Sequence, residues 1–178
     1  MNLASSVNTI LSILTILGQI FAVYIFIVLI LGKRSHKILG KPFLLLERHG
    51  ILFGFLVALI SMLGSLTYSD ILGYEPCKLC WFQRIFMYPQ VFLLGLALFR
   101  KERFIVPYAL LLAVIGEIVA LYHYIVQLGF FPAPCSVSGY SITCSKVFTL
   151  QYGYITIPLM AFTAFILIIF GMLFSKKE

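Results

Sequence analysis

The chain has 178 residues, 62% of them hydrophobic and only 11% charged, with a mean hydropathy of +1.07. A soluble domain of this length would be nearer half apolar and a quarter charged, so composition excludes a water-soluble globular protein and implies an integral membrane one. The formal charge of +7 does not point to nucleic acid, because ten of the thirteen basic residues fall in alternate loops between apolar runs, as cytoplasmic flanks should.

A membrane span needs roughly 20 apolar residues. Five runs qualify: about Ile10–Leu31, Ile51–Tyr68, Trp81–Phe99, Phe104–Tyr124 and Tyr154–Phe174. The first has no basic segment before it and no small-x-small site at its end. It runs straight into Gly32-Lys33-Arg34, so it reads as an N-out span rather than a cleaved signal peptide. The next stretch, Ser35–Gly50, mixes charge with Phe43-Leu44-Leu45-Leu46 and is expected to lie partly along the inner surface. In the second run Gly54, Ala58, Ser61 and Ser65 share one helical face, the pattern of a tight helix–helix contact. Pro89 should kink the third run, while Pro107 and Pro158 sit near helix starts, where proline is tolerated.

The basic residues at 32–50, at 100–103 and at the C-terminus place those segments in the cytoplasm. The N-terminus and the loops at 69–80 and 125–153 are then extracytoplasmic. The expected fold is a single all-α membrane domain, 1–178. It comprises a four-helix transmembrane bundle over about 48–174 and one additional N-terminal transmembrane helix, about 10–31, packed outside it. The outer loop Gln127–Gly153, broken by Pro132, Pro134 and Gly139, is long enough to fold back over the bundle mouth.

All four cysteines fall on the outer side, which matches an oxidising compartment. Cys77 and Cys80 form a Cys-x-x-Cys pair at the start of the third run, just after Pro76, which suits a first helical position. The positive end of the helix dipole favours a thiolate there, and a thiolate is the nucleophile of disulfide exchange. Arg84 follows Cys80 by four residues and shares its helical face, so a permanent cation can stabilise a Cys80 thiolate or a negative charge on a ligand. A static Cys77–Cys80 disulfide would close a very small loop and remove little chain entropy, which argues against a structural staple. Four cysteines could also form a tetrahedral zinc shell, but thiols outside the membrane tend to be oxidised, and no metal is expected. Cys135 and Cys144 alone would read as a structural loop disulfide; lying on the same side as the first pair makes them redox candidates.

The run Cys77-Lys78-Leu79-Cys80-Trp81-Phe82-Gln83-Arg84 resembles the signature of the DsbB family of disulfide bond formation proteins, which are thiol:quinone oxidoreductases. The family's second-loop pair falls on Cys135 and Cys144, and His123-Tyr124-Ile125-Val126-Gln127 is also similar to the family. The resemblance covers roughly Arg48 to Phe174. The extra span at Ile10–Leu31 lies outside the usual four, and the short Cys135–Cys144 spacing is closer to Gram-positive-type members. The resemblance implies that Cys77, Cys80, Cys135 and Cys144 are catalytic and that a quinone, ubiquinone or menaquinone, binds near Arg84, with His123 close by. A reduced extracytoplasmic DsbA-like thioredoxin-fold partner would attack Cys135. Cys144, once freed, would pair transiently with Cys77 and release Cys80 toward the quinone. A DsbA-like partner sits near a potential of about −120 mV, so a stronger oxidant such as the membrane quinone pool is needed to reoxidise it. The implied location is the bacterial cell membrane.

Other residues carry less. His123 alone reads as an interfacial or capping histidine. Glu117, about two turns inside the fourth run, reads as a neutral hydrogen-bonded acid rather than a proton relay. Trp81, Phe82 and Tyr88 could line a quinone pocket or simply populate an aromatic interface. His36 and His49 flank the cytoplasmic side and are assigned nothing. Two rival functions stand against the thiol:quinone reading. A vitamin K epoxide reductase places its loop cysteines before the Cys-x-x-Cys, the reverse of the order here. A tetraspan scaffold with structural disulfides leaves Arg84 unexplained.

Overall fold

The computed structural model describes residues 3–31, 40–131 and 144–175. Cys135, His36 and the prolines of the outer loop lie outside the described residues. Among the described residues five helices form: α1 (Leu3–Leu31), α2 (Gly40–Leu66), α3 (Lys78–Arg100), α4 (Val106–Gln127) and α5 (Ile157–Phe174). One π-helical turn, Thr67–Ile71, extends α2. All five are long and apolar enough to cross a membrane, so the chain is a multi-pass membrane protein. In lipid each backbone polar group must be bonded within its own segment, which is why the apolar runs become helices.

The helix ends depart from the sequence expectation in three places. α1 starts at Leu3 rather than Ile10, because Ser5, Ser6, Asn8 and Thr9 depress hydropathy without breaking the helix. The stretch expected along the inner surface is helical from Gly40 and joins the second span through His49, whose φ of −123° and ψ of 23° mark a kink. Pro76 stands before α3 rather than in it: Cys77 is the N-cap, in extended conformation, and its carbonyl accepts the amide of Trp81 at 3.1 Å. Pro107 and Pro158 fall within the first two residues of α4 and α5, where a missing N–H leaves no gap in the ladder. α3 runs unbroken from Lys78 to Arg100 with Pro89 inside it.

Helices α2, α3, α4 and α5 each pack on the next, and α2 closes on α5, giving a four-helix ring with α1 against the outside of α5. Without a hydrophobic drive between helices in lipid, close approach of small residues supplies the contact. Ala109, Ala113 and Ala120 on α4 are fully buried, and the ring of Phe165 from α5 occupies the space over Gly116. At the α2–α5 crossing a Cβ on Gly171 would stand 2.7 Å from the carbonyl oxygen of Gly50, so backbones meet there directly. Large apolar side chains point outward, as in a protein whose solvent is lipid: Phe99 is 88% exposed and Phe92 72%. Of the small-residue stripe on α2, Gly54 and Ala58 do face packed neighbours. Ser61 and Ser65, further along the same face, border a cavity instead.

At the cysteine end, Tyr74 stacks on Tyr68 at 5.8 Å and on Phe148 at 5.1 Å. This ladder ties the α2–α3 link to the segment that carries Cys144. The latter turns back through Tyr152 and Gly153, both left-handed, and closes with an antiparallel bridge between Gln151 and Ile155.

Candidate redox site

The N-terminus of α3 brings Cys77 and Cys80 together as free thiols, their sulfurs 3.5 Å apart. An extended N-cap followed by one helical turn folds the Cys-x-x-Cys so that its first sulfur lies beside the third residue of the helix. Cys77 is buried at 3% exposure. It clusters with Leu79, Val126 and Cys144, with Cys80 packed against the group. Cys144 is disulfide-bonded.

His123 reaches this cluster from the last turns of α4. It is 1% exposed, and its Nε2 lies 3.7 Å from the Cys77 sulfur and 3.1 Å from the Cys144 carbonyl oxygen. On the other edge of the ring, the Gln83 side-chain amide donates to Nδ1 at 2.9 Å. That bond assigns the proton to Nε2, which then donates toward Cys144 and faces Cys77. From the sequence, His123 alone reads as an interfacial residue and, through the family resemblance, as a neighbour of the quinone near Arg84. Neither reading anticipates these contacts to Cys77, Cys144 and Gln83, and Gln83 has no role in them. The signal available was an amide inside an apolar run, since a polar group in that setting needs a partner.

The same contacts set the charge of Cys77. A hydrogen bond from the Cys80 thiol is the largest influence and lowers the Cys77 pKa; burial opposes it, and the hydrogen bond of His123 lowers it further. The outcome is a Cys77 thiol held well below its ordinary range. The sequence reading gives Arg84 either a Cys80 thiolate or a negative charge on a ligand to stabilise; in the dithiol, the Cys80 thiol and His123 act on Cys77.

Arg84 is fixed from α2. Its Nε donates to the Ser65 hydroxyl at 3.0 Å and its Nη2 to the Ser65 carbonyl at 3.2 Å, while Tyr88 donates to the same hydroxyl at 3.3 Å. The Ser65 carbonyl, two residues before the π turn, also accepts from the Ser69 hydroxyl at 3.3 Å. The guanidinium lies 5.3 Å from the centre of the Trp81 ring.

The two cysteines share one space, and only Cys80 borders a second. Cys80, Gln83 and Arg84 line an apolar cavity of about 380 Å³, together with Ser65, Tyr68 and Tyr88. Cys77 and His123 do not border it. They line a narrow cleft on the other side with Gln127, Lys146 and Thr149, and Cys80 borders both spaces. Trp81 and Phe82, each 50% exposed, are absent from the cavity wall. Glu117 has a buried carboxylate oxygen with no hydrogen-bond partner, away from both spaces. The ligand atoms of Cys77, Cys80 and His123 lie within 4.8 Å of one another, three donors of the kind zinc takes, where a closed structural site needs four.

A family model described as "Disulfide bond formation protein DsbB" matches residues 47–175. Disulfide bond formation protein C of Bacillus subtilis (strain 168) is 46% identical over 124 residues, which is 68% of this chain and 88% of that protein. The probable disulfide formation protein C of Halalkalibacterium halodurans is 38% identical over 128 residues, 72% of this chain and 93% of its own. A probable disulfide formation protein of Coxiella burnetii is 38% identical over 136 residues, covering 75% and 91% of the two chains. No solved structure gives a significant match. With most of α2, all of α3 to α5 and both halves of the Cys77–Cys80 site inside the matched region, the chain belongs to the DsbB family of disulfide bond formation proteins.

Proposed function

We propose that the protein is a membrane oxidoreductase of disulfide bond formation, one that takes electrons from an extracytoplasmic DsbA-like dithiol and delivers them to a membrane quinone. One observation carries this reading. The Cys-x-x-Cys pair stands between two spaces, with Cys77 turned toward Cys144 and Cys80 turned into an apolar cavity that also holds a fixed cation. The cavity suits the group: apolar walls for a lipid-soluble molecule, with a sulfur and a guanidinium at one end for its oxygens. When bound, the quinone accepts two electrons and two protons.

The chain's own residues perform the remaining steps. A donor thiolate attacks Cys135 of a Cys135–Cys144 disulfide, forming a mixed disulfide and releasing Cys144 as thiolate. Cys144 attacks Cys77 of the Cys77–Cys80 disulfide, and Cys80 leaves as thiolate. The donor's second thiolate then attacks its own sulfur in the mixed disulfide, departs as a disulfide, and frees Cys135. Finally Cys135 attacks Cys144, re-forming their bond and expelling Cys77. Leaving groups of low pKa leave faster, so the environment that depresses Cys77 favours this last exchange. His123 holds the Cys144 backbone beside Cys77 throughout. The dithiol seen at Cys77 and Cys80 corresponds to the state reached once both electrons have arrived. Oxidation by the quinone restores the Cys77–Cys80 disulfide.

The reading places the cysteine end outside the cytoplasm of a bacterial cell. Arg100, Lys101 and Arg103 lie at the far end of α3, about 34 Å from Cys77 at 1.5 Å per residue, and Arg103 donates to the Ser175 carbonyl at the C-terminal end of α5. The test is anaerobic quinone reduction by purified protein with a reduced thioredoxin-fold donor. One quinol should form per donor disulfide. Donor oxidation at the same rate without quinone would reject the proposal, and a scaffold with static disulfides would exchange with neither.

A further inference from the structure

Helix α1 lies outside the region matched by the family, which begins at residue 47. The match takes in 88% and 93% of two relatives, leaving too few residues outside it for a helix of α1's 29. Yet α1 is seated against the bundle by specific contacts. Its polar residues Asn8, Ser12, Thr15 and Gln19 fall on one helical face, and Ser12 and Thr15 are buried at 0% and 6% exposure. Gln19 accepts from the Tyr154 hydroxyl at 3.0 Å and donates to Thr163 of α5 at 3.4 Å. Gly18 lets the two helices close: a Cβ there would meet Leu167 at 2.9 Å and Thr163 at 3.2 Å. A helix serving only as a membrane anchor would need none of these contacts.

The docked helix supplies one wall of the cavity. Leu11, Leu14, Gly18 and Phe21 line it from α1, opposite Phe53 and Val57 of α2. From Leu11 to Phe21 that wall extends about 15 Å along the helix axis. Cys80, Arg84 and Ser65 come from α2 and α3, and the α1 stretch is entirely apolar apart from Thr15. Thr15 itself donates to the Leu11 carbonyl. Leu11 lies beside Gly64, one residue before Ser65, and Phe21 packs with its ring tilted against Phe53, centres 5.5 Å apart, so the wall starts beside the polar groups and leads away from them.

We propose that α1 forms the binding wall for the polyprenyl tail of the quinone, converting a lipid-facing side of the bundle into a tail channel leading from Cys80 and Arg84. This rests on the quinone reading above. The ring sits at the sulfur and the cation, and the tail lies between α1 and α2. Tail recognition is then a property that α1 adds to this chain.

The test uses the full-length protein and its single tryptophan, Trp81, which stacks on Arg84 at the polar end of the cavity. Quenching of Trp81 fluorescence reports binding of a polyprenyl quinone and of a tail-less analogue with the same ring. Leu14→Phe fills the channel, and Gly18→Leu forces α1 away from α5. Each should weaken binding of the tailed quinone about tenfold more than binding of the analogue, a difference of about 1.4 kcal/mol. Leu14 is 44% exposed, so that variant remains informative if Gly18→Leu does not fold. Equal effects on both quinones, or none on either while the unmodified protein binds both, would overturn the role of α1. If the unmodified protein binds neither, the quinone reading itself fails.

Discussion

Replacing His123 by phenylalanine should raise the pKa of Cys77, and the size of the rise follows from what the ring does in place. His123 Nε2 faces the Cys77 sulfur at 3.7 Å, inside a cluster closed to water. A hydrogen bond to a charged group contributes about 1.5–3 kcal/mol; at 1.36 kcal/mol per pKa unit, and with a long sulfur contact, a rise of about one unit is expected. The assay needs Cys77 as the sole thiol, so Cys80, Cys135 and Cys144 are replaced by serine; the hydroxyl that Cys80→Ser introduces can still donate to Cys77. Thiolate absorbance is then followed as pH falls. Because the Cys77 pKa is depressed, its thiolate should persist below the ordinary thiol range and disappear only in more acidic solution. In His123→Phe the loss should move to higher pH. The depressed pKa also adds stability to the reduced protein, fully present above the unfolded thiol pKa and lost as pH falls through the folded one. An unshifted titration in a folded His123→Phe protein would refute the assignment of His123 to Cys77.

Arg84→Gln should slow quinone reduction on the order of ten- to a hundredfold, from the loss of a charge-assisted hydrogen bond worth about 1.5–3 kcal/mol, with donor exchange nearly unchanged. Arg84→Lys, which keeps the charge but not the fork anchored on Ser65, should fall between; a normal rate in Arg84→Gln would reduce Arg84 to an interfacial anchor. A donor lacking its second cysteine should be trapped on Cys135, and mass spectrometry finding it on Cys77 or Cys80 would reverse the order of electron flow. Gly171→Val should lower the thermal midpoint markedly, because the new side chain meets the Gly50 carbonyl; an unchanged midpoint would contradict the backbone contact of α2 and α5.

The local parts of the site were legible in the sequence because they depend on spacing alone. Cys77, Cys80 and Arg84 lie within two turns, so a helix start brings them near one another whatever the rest of the chain does. The five spans followed from hydropathy for a similar reason, since lipid enforces a helix wherever apolar length suffices. The contacts of His123 were not legible. They join residues 46, 40 and 21 positions apart, and only the ring of α3, α4 and the Cys144 segment brings them together. Ser65 read as a small packing residue because its bonds to Arg84 and Tyr88 cross from α2 to α3, 19 and 23 positions along the chain. The inward polar face of α1 was hidden in another way: hydropathy averages a helix around its circumference and so loses the side on which Ser12, Thr15 and Gln19 lie.

The most direct test of the central claim is to separate the two cysteines of the Cys-x-x-Cys pair by the side on which each works. In the Cys80→Ser variant, electrons can enter from the donor but cannot reach the cavity. Mixed with reduced donor, it should exchange its Cys135–Cys144 disulfide once, ending with Cys135 and Cys144 as thiols and one donor disulfide per protein, and it should reduce no quinone. If Cys80→Ser still reduces quinone at the normal rate, Cys80 is not the sulfur that faces the acceptor, and the division of the site into a donor side and a quinone side is wrong.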